Sequence, residues 1–260
     1  MRQPRRKSEK TMKILTLSHD EIHRGSLILV NQSHALDEGA AEDLIPVTRS
    51  EPSVLLQRPA AQALAGLMDA IEGWQHIAFV SAWRSRREQQ EIWDDSLREN
   101  GPEFTRTYVA LPGHSEHQTG LAIDLGAKQE QIDFIRPEFP CTGPCRDFRE
   151  RAAEFGFILR YPQGKEDVTG IGHEPWHFRY VGTPHAIIIQ KQDMTLEEYT
   201  NYLKRFPRGK CLRCVTEDGR EACLSYIEAC ADRMRLKLAE DGPYTLSGNN
   251  VDGFILTEWR

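Results

Sequence analysis

Two short segments, LAIDL at 121–125 and WHFRYV at 176–181, constrain this chain more than any other feature. Successive side chains on a β-strand point to opposite faces. In the first segment Leu121, Ile123 and Leu125 therefore share one face and Ala122 and Asp124 the other. In the second, Trp176, Phe178 and Tyr180 alternate against His177 and Arg179. Each strand anchors itself on one side and projects a potential metal ligand from the other. His117 precedes Asp124 in the order H-x6-D, within PGHSEHQTG. A fold that uses His117, Asp124 and His177 together must bring two distant stretches around one point. Two imidazoles and a carboxylate are the kind of three-ligand set that holds a catalytic zinc and leaves a fourth position to water. Taken alone, His117 or Asp124 reads as a structural residue; the joint pattern with E-P-W-H reverses that balance. Glu174 and His177 would point to opposite faces of a regular strand, and Pro175 between them supplies the irregularity that lets both reach one site.

The rest of the chain suggests where these strands sit. PAAQALAGLMDAIEG (59–73) predicts a helix with proline near its start, and HIAFVSAWR (76–84) a buried strand. Ser85 and Glu88 form a capping-box pattern that opens the helix RREQQEIWDDSLREN, so Arg84 falls where strand gives way to helix. LILV (27–30) and DLIPV (43–47) predict short strands. CRDFRERAAEFGFILRYP predicts a helix ended at Gly156 and then a strand, and Thr195 with Glu198 caps LEEYTNYLKRF. Towards the end, a long helix is expected over about Glu221–Glu240 and a hairpin around LSGNNVDGFILT. Helices and strands mixed without regular βαβα alternation argue for an α+β fold.

The chain has 260 residues and a net charge of −6, which predicts no nucleic-acid surface, and the basic start MRQPRRKSEK is expected to be a solvated tail. That start lacks the apolar run of a signal peptide, and no stretch approaches a membrane span. Six cysteines are too few for a disulfide scaffold, so free thiols and the cytoplasm are expected. If the last helix forms, Cys223 and Cys230 lie on one apolar stripe with Ile227 and Met234 as buried thiols; Cys211 and Cys214 remain a redox or metal pair, and Cys141 and Cys145 a loop.

SAWRSRREQQ, PGHSEHQTGLAIDL, FGFILRYPQGKEDVTGIGHEPWHFRYVG and LILVNQSHAL together resemble the vancomycin-resistance D,D-peptidases, the VanY carboxypeptidases and bifunctional VanXY enzymes, over about Ser26–Gly182. The resemblance implies a zinc D,D-peptidase fold of the hedgehog/DD-peptidase-like kind, with a small mixed sheet, flanking helices and a C-terminal extension. It implies one zinc per chain on His117, Asp124 and His177, with Glu174 as catalytic base. Arg84 would stabilise the oxyanion, and Ser115 and Gln89 would bind substrate. His114, which could form H-x-x-H with His117, becomes a pocket residue. Ala82 and Trp83 stand where the family pattern has Gly-Tyr, and His114 and His173 where tyrosine is common. The implied domains are a disordered tail (1–12), a catalytic domain (13–192) and an extension of helix and hairpin (193–260).

The implied activity is hydrolysis of D-Ala-D-Ala and removal of the terminal D-Ala from cytoplasmic peptidoglycan precursors, contributing to vancomycin resistance. A peptidoglycan endopeptidase of the same superfamily and a non-catalytic zinc- or wall-binding module are the alternatives; a base and an oxyanion donor disfavour the module. The expected partners are those D-Ala-terminated substrates, with no nucleic acid and no membrane anchor, and homodimerisation is left open.

Overall fold

The strands that carry Asp124 and His177 form where their patterning predicts, and a second layer forms where it does not. The computed structural model describes residues 11–37, 41–216 and 219–260. In chain order the first elements are β1 (Met12–Ser18), the hairpin β2 (Leu44–Thr48) and β3 (Glu51–Gln57), α1 (Arg58–Ala70), β4 (Ile77–Ser81) and α2 (Arg86–Tyr108). There follow β5 (Ala122–Ala127), α3 (Gly143–Arg151), β6 (Phe157–Tyr161), α4 (Glu166–Thr169), β7 (Glu174–Tyr180), α5 (His185–Lys191) and α6 (Leu196–Leu203). The chain ends in β8 (Leu212–Val215), β9 (Glu221–Glu228), β10 (Arg233–Ala239), β11 (Tyr244–Gly248) and β12 (Gly253–Trp259). Both capping boxes form: Ser85 Oγ accepts from the Glu88 amide and Thr195 Oγ1 from the Glu198 amide, while each glutamate accepts from its cap's N–H. These local bonds set where α2 and α6 begin.

The sheet β4-β5-β7-β6 is antiparallel throughout. Asp124 lies directly opposite His177, and Ile123 opposite Phe178. One face packs Ile123, Leu125, Trp176 and Phe178 into a core with Leu64 and Leu67 of α1 and Phe148 of α3. Phe139, Phe148 and Phe178 meet edge to face, with ring centroids 4.8–5.8 Å apart. The opposite face is left to Asp124, His177 and Arg179.

The second layer corrects several expectations. The predicted helix over Glu221–Glu240 is instead two strands, β9 and β10. Met234, Leu236 and Leu238 alternate with charged residues at the strand period, and β9 and β10 find partners in β8, β12 and β1. The terminal hairpin forms as expected, as β11 and β12. β1 pairs with β10 along its whole length, from Met12 opposite Ala239 to Ser18 opposite Arg233. A cut at residue 192 would therefore separate paired strands. The basic segment 1–10 lies outside the described residues. LILV is buried without joining a sheet: the Leu27 amide donates to Ser247 Oγ, the Leu29 amide to the Asn249 carbonyl, and Asn250 Nδ2 to the Leu29 carbonyl. The segment satisfies its backbone against the second layer instead of a ladder.

The cysteines also depart from expectation. Cys211 is bonded to Cys223, not paired with Cys214: the β8–β9 hairpin sets Arg213 opposite Cys223 and brings Cys211, just before β8, to a Cα–Cα distance of 5.5 Å from it. Cys230 is exposed in the turn after β9. No helix among the described residues is long and apolar enough to cross a membrane.

Candidate metal centre and catalytic pocket

His117 sits in a short 3-10 helix, Glu116–Thr119, that ends at Gly120 with φ +70°. A Cβ on Gly120 would fall 2.5 Å from Leu44, so the glycine permits a close approach to the β2–β3 hairpin behind the site. His117, Asp124 and His177 are all buried, and their candidate ligand atoms lie within 4.8 Å of one another. His117 Nε2 is 3.0 Å from Asp124 Oδ2, and His177 Nδ1 is 2.9 Å from Asp124 Oδ1.

The far nitrogen of each ring is committed elsewhere. His117 Nδ1–H donates to the Ala82 carbonyl at 2.7 Å, and His177 Nε2–H to Glu116 Oε2 at 3.4 Å. Such bonds fix the tautomer and turn the other nitrogen's lone pair towards the centre, as metal-binding histidines require. Two imidazole nitrogens and one carboxylate oxygen, all buried and converging, match the donor set of a catalytic zinc. The residues present fit the ion.

The charges around this point are strongly perturbed. Burial opposes the Asp124 charge, but the two histidines hold its carboxyl well below the usual range. Burial lowers His117 to about 4, whereas for His177 the adjacent Asp124 outweighs burial and raises it to about 9, so that a cation bound at Nδ1 would displace the proton held there. Burial pushes Glu174 up to about 8 against the pull of His177. Its Oε2 stands 3.8 Å from His177 Nδ1, on the side of the ring that faces Asp124. The irregularity predicted at Pro175 is visible in the ladder. Leu159 pairs with Phe178 but Tyr161 already pairs with Glu174, so β7 spends extra residues there and returns Glu174 to the site.

Arg84 lies in the short connection from β4 to α2, its amide bonded to the His117 carbonyl. Its guanidinium donates to Asp124 Oδ2 at 3.1 Å, to Ser81 Oγ at 2.8 Å and to Gln89 Oε1 at 3.1 Å. Gln89 in turn donates to the Ala110 carbonyl at 2.8 Å, so both ends of its amide are engaged within the protein. Arg84, Gln89, Ser115, Tyr161, Glu174 and Trp176 line a narrow cavity over the three candidate ligands, about 40 Å³ in volume, room for a few waters. A neighbouring cavity of about 410 Å³, lined by Trp93, Leu111 and His114, shares Tyr161 and Ile171 with it. His114 Nδ1 bonds to the Asn31 carbonyl there, away from the candidate ligands. Trp176 both packs in the core and closes the cavity floor.

Sequence reasoning missed Glu116, Arg160 and Arg179. Both arginines are 0% exposed, and each donates to Glu116 Oε1, at 2.8 and 2.6 Å. Burial opposes the Glu116 charge, but the two guanidiniums hold its carboxyl well below the usual range. The available signal was a lone arginine on FILRY, an otherwise apolar strand, and a second arginine two residues after His177 in HFRY.

Residues 53–183 match the VanY family, D-alanyl-D-alanine carboxypeptidase. The chain is 43% identical over 185 residues, 70% of its length and 97% of the relative's, to a bifunctional D-Ala-D-Ala dipeptidase and D-Ala-D-Ala carboxypeptidase, VanXYC, of Enterococcus gallinarum. Among solved structures it resembles the vancomycin-resistance D,D-dipeptidase VanXYg in complex with a D-Ala-D-Ala phosphinate analogue. That match has a TM-score of 0.94 and 45% identity, and covers 96% of this chain and 100% of that one. It also resembles a vancomycin-resistance D,D-pentapeptidase VanY in complex with Zn(II), with a TM-score of 0.58, 34% identity and coverage of 68% of this chain and 99% of that one. On the strength of this matched domain and of the identity to these relatives, the chain belongs to the VanY family of D-alanyl-D-alanine carboxypeptidases.

Proposed function

We propose that this protein is a zinc D,D-peptidase that hydrolyses D-Ala-D-Ala and removes the terminal D-Ala from peptidoglycan precursors, clearing the species that vancomycin binds. The observation that carries this reading is the convergence of His117, Asp124 and His177 within 4.8 Å, with Glu174 beside them and Arg84 on Asp124. The names of the relatives supply the substrate class.

His117 through Nε2, His177 through Nδ1 and Asp124 would hold the ion. Bound there, zinc supplies Lewis-acid chemistry, polarising a carbonyl and making a water acidic near neutral pH. Glu174 takes a proton from the attacking water and returns it to the departing amine, acting as base and then acid. Its Oε2 stands 3.8 Å from His177 Nδ1, beside the candidate ligands. Arg84 reaches into the cavity with a guanidinium already oriented by Ser81 and Gln89, so it can donate to the developing oxyanion without first reorganising. Gln89 is thereby a positioning residue for Arg84, and the Ser115 hydroxyl, which lines the cavity, is available to a substrate carboxylate. We place the activity in the cytoplasm, where these precursors are built.

The test is hydrolysis of D-Ala-D-Ala and of a D-Ala-terminated pentapeptide by the purified protein, with and without a chelator. Release of D-Ala from both, abolished by chelator and restored by zinc, is the expected result. Failure of the zinc-loaded protein to cleave either substrate would sink the reading.

A further inference from the structure

The catalytic sheet is tied to the second layer by four buried charges that the reaction itself does not use. Arg160 of β6 spans two carboxylates: its Nε donates to Glu116 Oε1 at 2.8 Å, and its Nη1 and Nη2 to Glu197 at 3.0 and 2.6 Å. Arg179 of β7 donates to the same Glu116 Oε1 at 2.6 Å and to the carbonyls of Ser26 and Ile28. Glu116 Oε2 is left to His177 Nε2. Glu197 belongs to α6, and Asn31 Nδ2 also donates to it at 3.1 Å.

Two carboxylates and two guanidiniums are formally neutral together, so neither arginine is an uncompensated charge. A buried ionic cluster is nonetheless weak evidence of stabilisation, because apolar residues of the same volume often serve as well. What the cluster has that apolar residues lack is direction. Both arginines bond one oxygen of Glu116, which turns the other oxygen to His177, and Glu197 holds Arg160 in that pose.

We propose that Glu197 is a positioning residue for the metal centre, acting through Arg160 and Glu116 to keep His177 in the orientation that binds zinc. The inference rests on the reading of His177 as a zinc ligand. Without the Glu197 carboxylate the cluster carries a net positive charge and Arg160 has only Glu116 to turn to. It then competes with His177 for Glu116, and the imidazole loses the acceptor that orients it. Loss of a partner that bonds a ligand directly, as Glu116 bonds His177, changes metal affinity by about 10–100-fold, and Glu197, two contacts further back, is expected at the lower end of that range.

The experiment measures zinc affinity, by competition with a chromophoric chelator, for the full chain and two variants. Glu197→Gln is expected to bind zinc about tenfold more weakly than the unmodified protein. Glu198→Gln, the neighbouring residue, removes the charge paired with Lys165 and weakens the capping box at the start of α6 but touches neither Arg160 nor Glu116, and should bind zinc normally. Unchanged affinity in Glu197→Gln overturns the inference, as does an equal loss in Glu198→Gln, which would mean that loosening α6 in any way is enough. If Glu197→Gln does not fold, hydrogen exchange of the unmodified protein decides. Zinc removal should then speed exchange in α6 several-fold, and unchanged protection there overturns the inference. If the unmodified protein binds no zinc, the reading of the site itself fails, an outcome distinct from both.

Discussion

Removing every residue after Lys191 would leave all the proposed zinc and catalytic residues in the chain, yet the structure predicts that the remainder will not hold its fold. The core shared between the two layers buries Leu27, Leu29, Ile158, Val181 and Ile189 on the retained side, each no more than 4% exposed. Their cover includes Leu196, Tyr199, Leu203, Leu224 and Ile255, all of which the truncation deletes. At about 1.5–3 kcal/mol for each buried aliphatic side chain, uncovering five of them loses on the order of 7–15 kcal/mol. Loss of Glu197 strands the buried Arg160 beside Glu116, a broken pair of the kind that costs about 3–5 kcal/mol. The sum rivals the whole stability of an ordinary domain, about 5–15 kcal/mol. β1 also loses β10, its strand partner. Soluble yield, thermal unfolding and near-UV circular dichroism of residues 1–191 form the assay, with loss of cooperative unfolding and of tight zinc binding expected. A truncated protein that unfolds cooperatively at the original temperature would refute the view that the second layer is part of the core.

Three further predictions address charge and redox state. Arg84→Met should keep zinc but lower kcat by about 10²–10³-fold, the effect of losing one oxyanion donor; turnover close to the original would remove Arg84 from the mechanism. His185 is buried between Tyr199 Oη and Thr257 Oγ1, and burial lowers it from 6.5 to about 3. Between those values the unfolded chain binds the proton and the folded chain does not, so stability falls as pH is lowered, by about 2 kcal/mol from pH 6.5 to 4.5. Urea unfolding of His185→Gln should show that much less loss over the same interval, and equal slopes would contradict the assignment. If the proposed cytoplasmic placement holds, Cys211 and Cys223 should be thiols in the cell, although the structure bonds them. Rapid acid quenching and alkylation would reveal an intact bridge if the protein instead works in an oxidising compartment.

The candidate site was far more legible than the layer behind it. Asp124 and His177 lie on strands whose alternation is complete within five or six residues, and the caps at Ser85 and Thr195 are bonds across three residues. Such features need no distant partner to be recognised. β9 and β10 do: Cys223, Ile227, Cys230 and Met234 fall at helical spacing, and the alternation at 233–239 prevails only because β1, more than 200 residues away, is there to pair. Glu116 is illegible for the same reason. Its carboxylate acquires meaning from Arg160 and Arg179, 44 and 63 residues further along. The Cys211–Cys223 bond likewise depends on a hairpin register that cysteine spacing does not reveal.

The central claim separates residues that hold zinc from the residue that moves the proton, and one paired measurement tests it most directly: zinc content and D-Ala-D-Ala turnover of His177→Ala and Glu174→Gln, side by side. His177→Ala should lose both, because a ligand is gone. Glu174→Gln should retain near-stoichiometric zinc and lose most turnover, because an amide cannot accept the water's proton. Zinc retained in His177→Ala, or normal turnover in Glu174→Gln, would contradict the account.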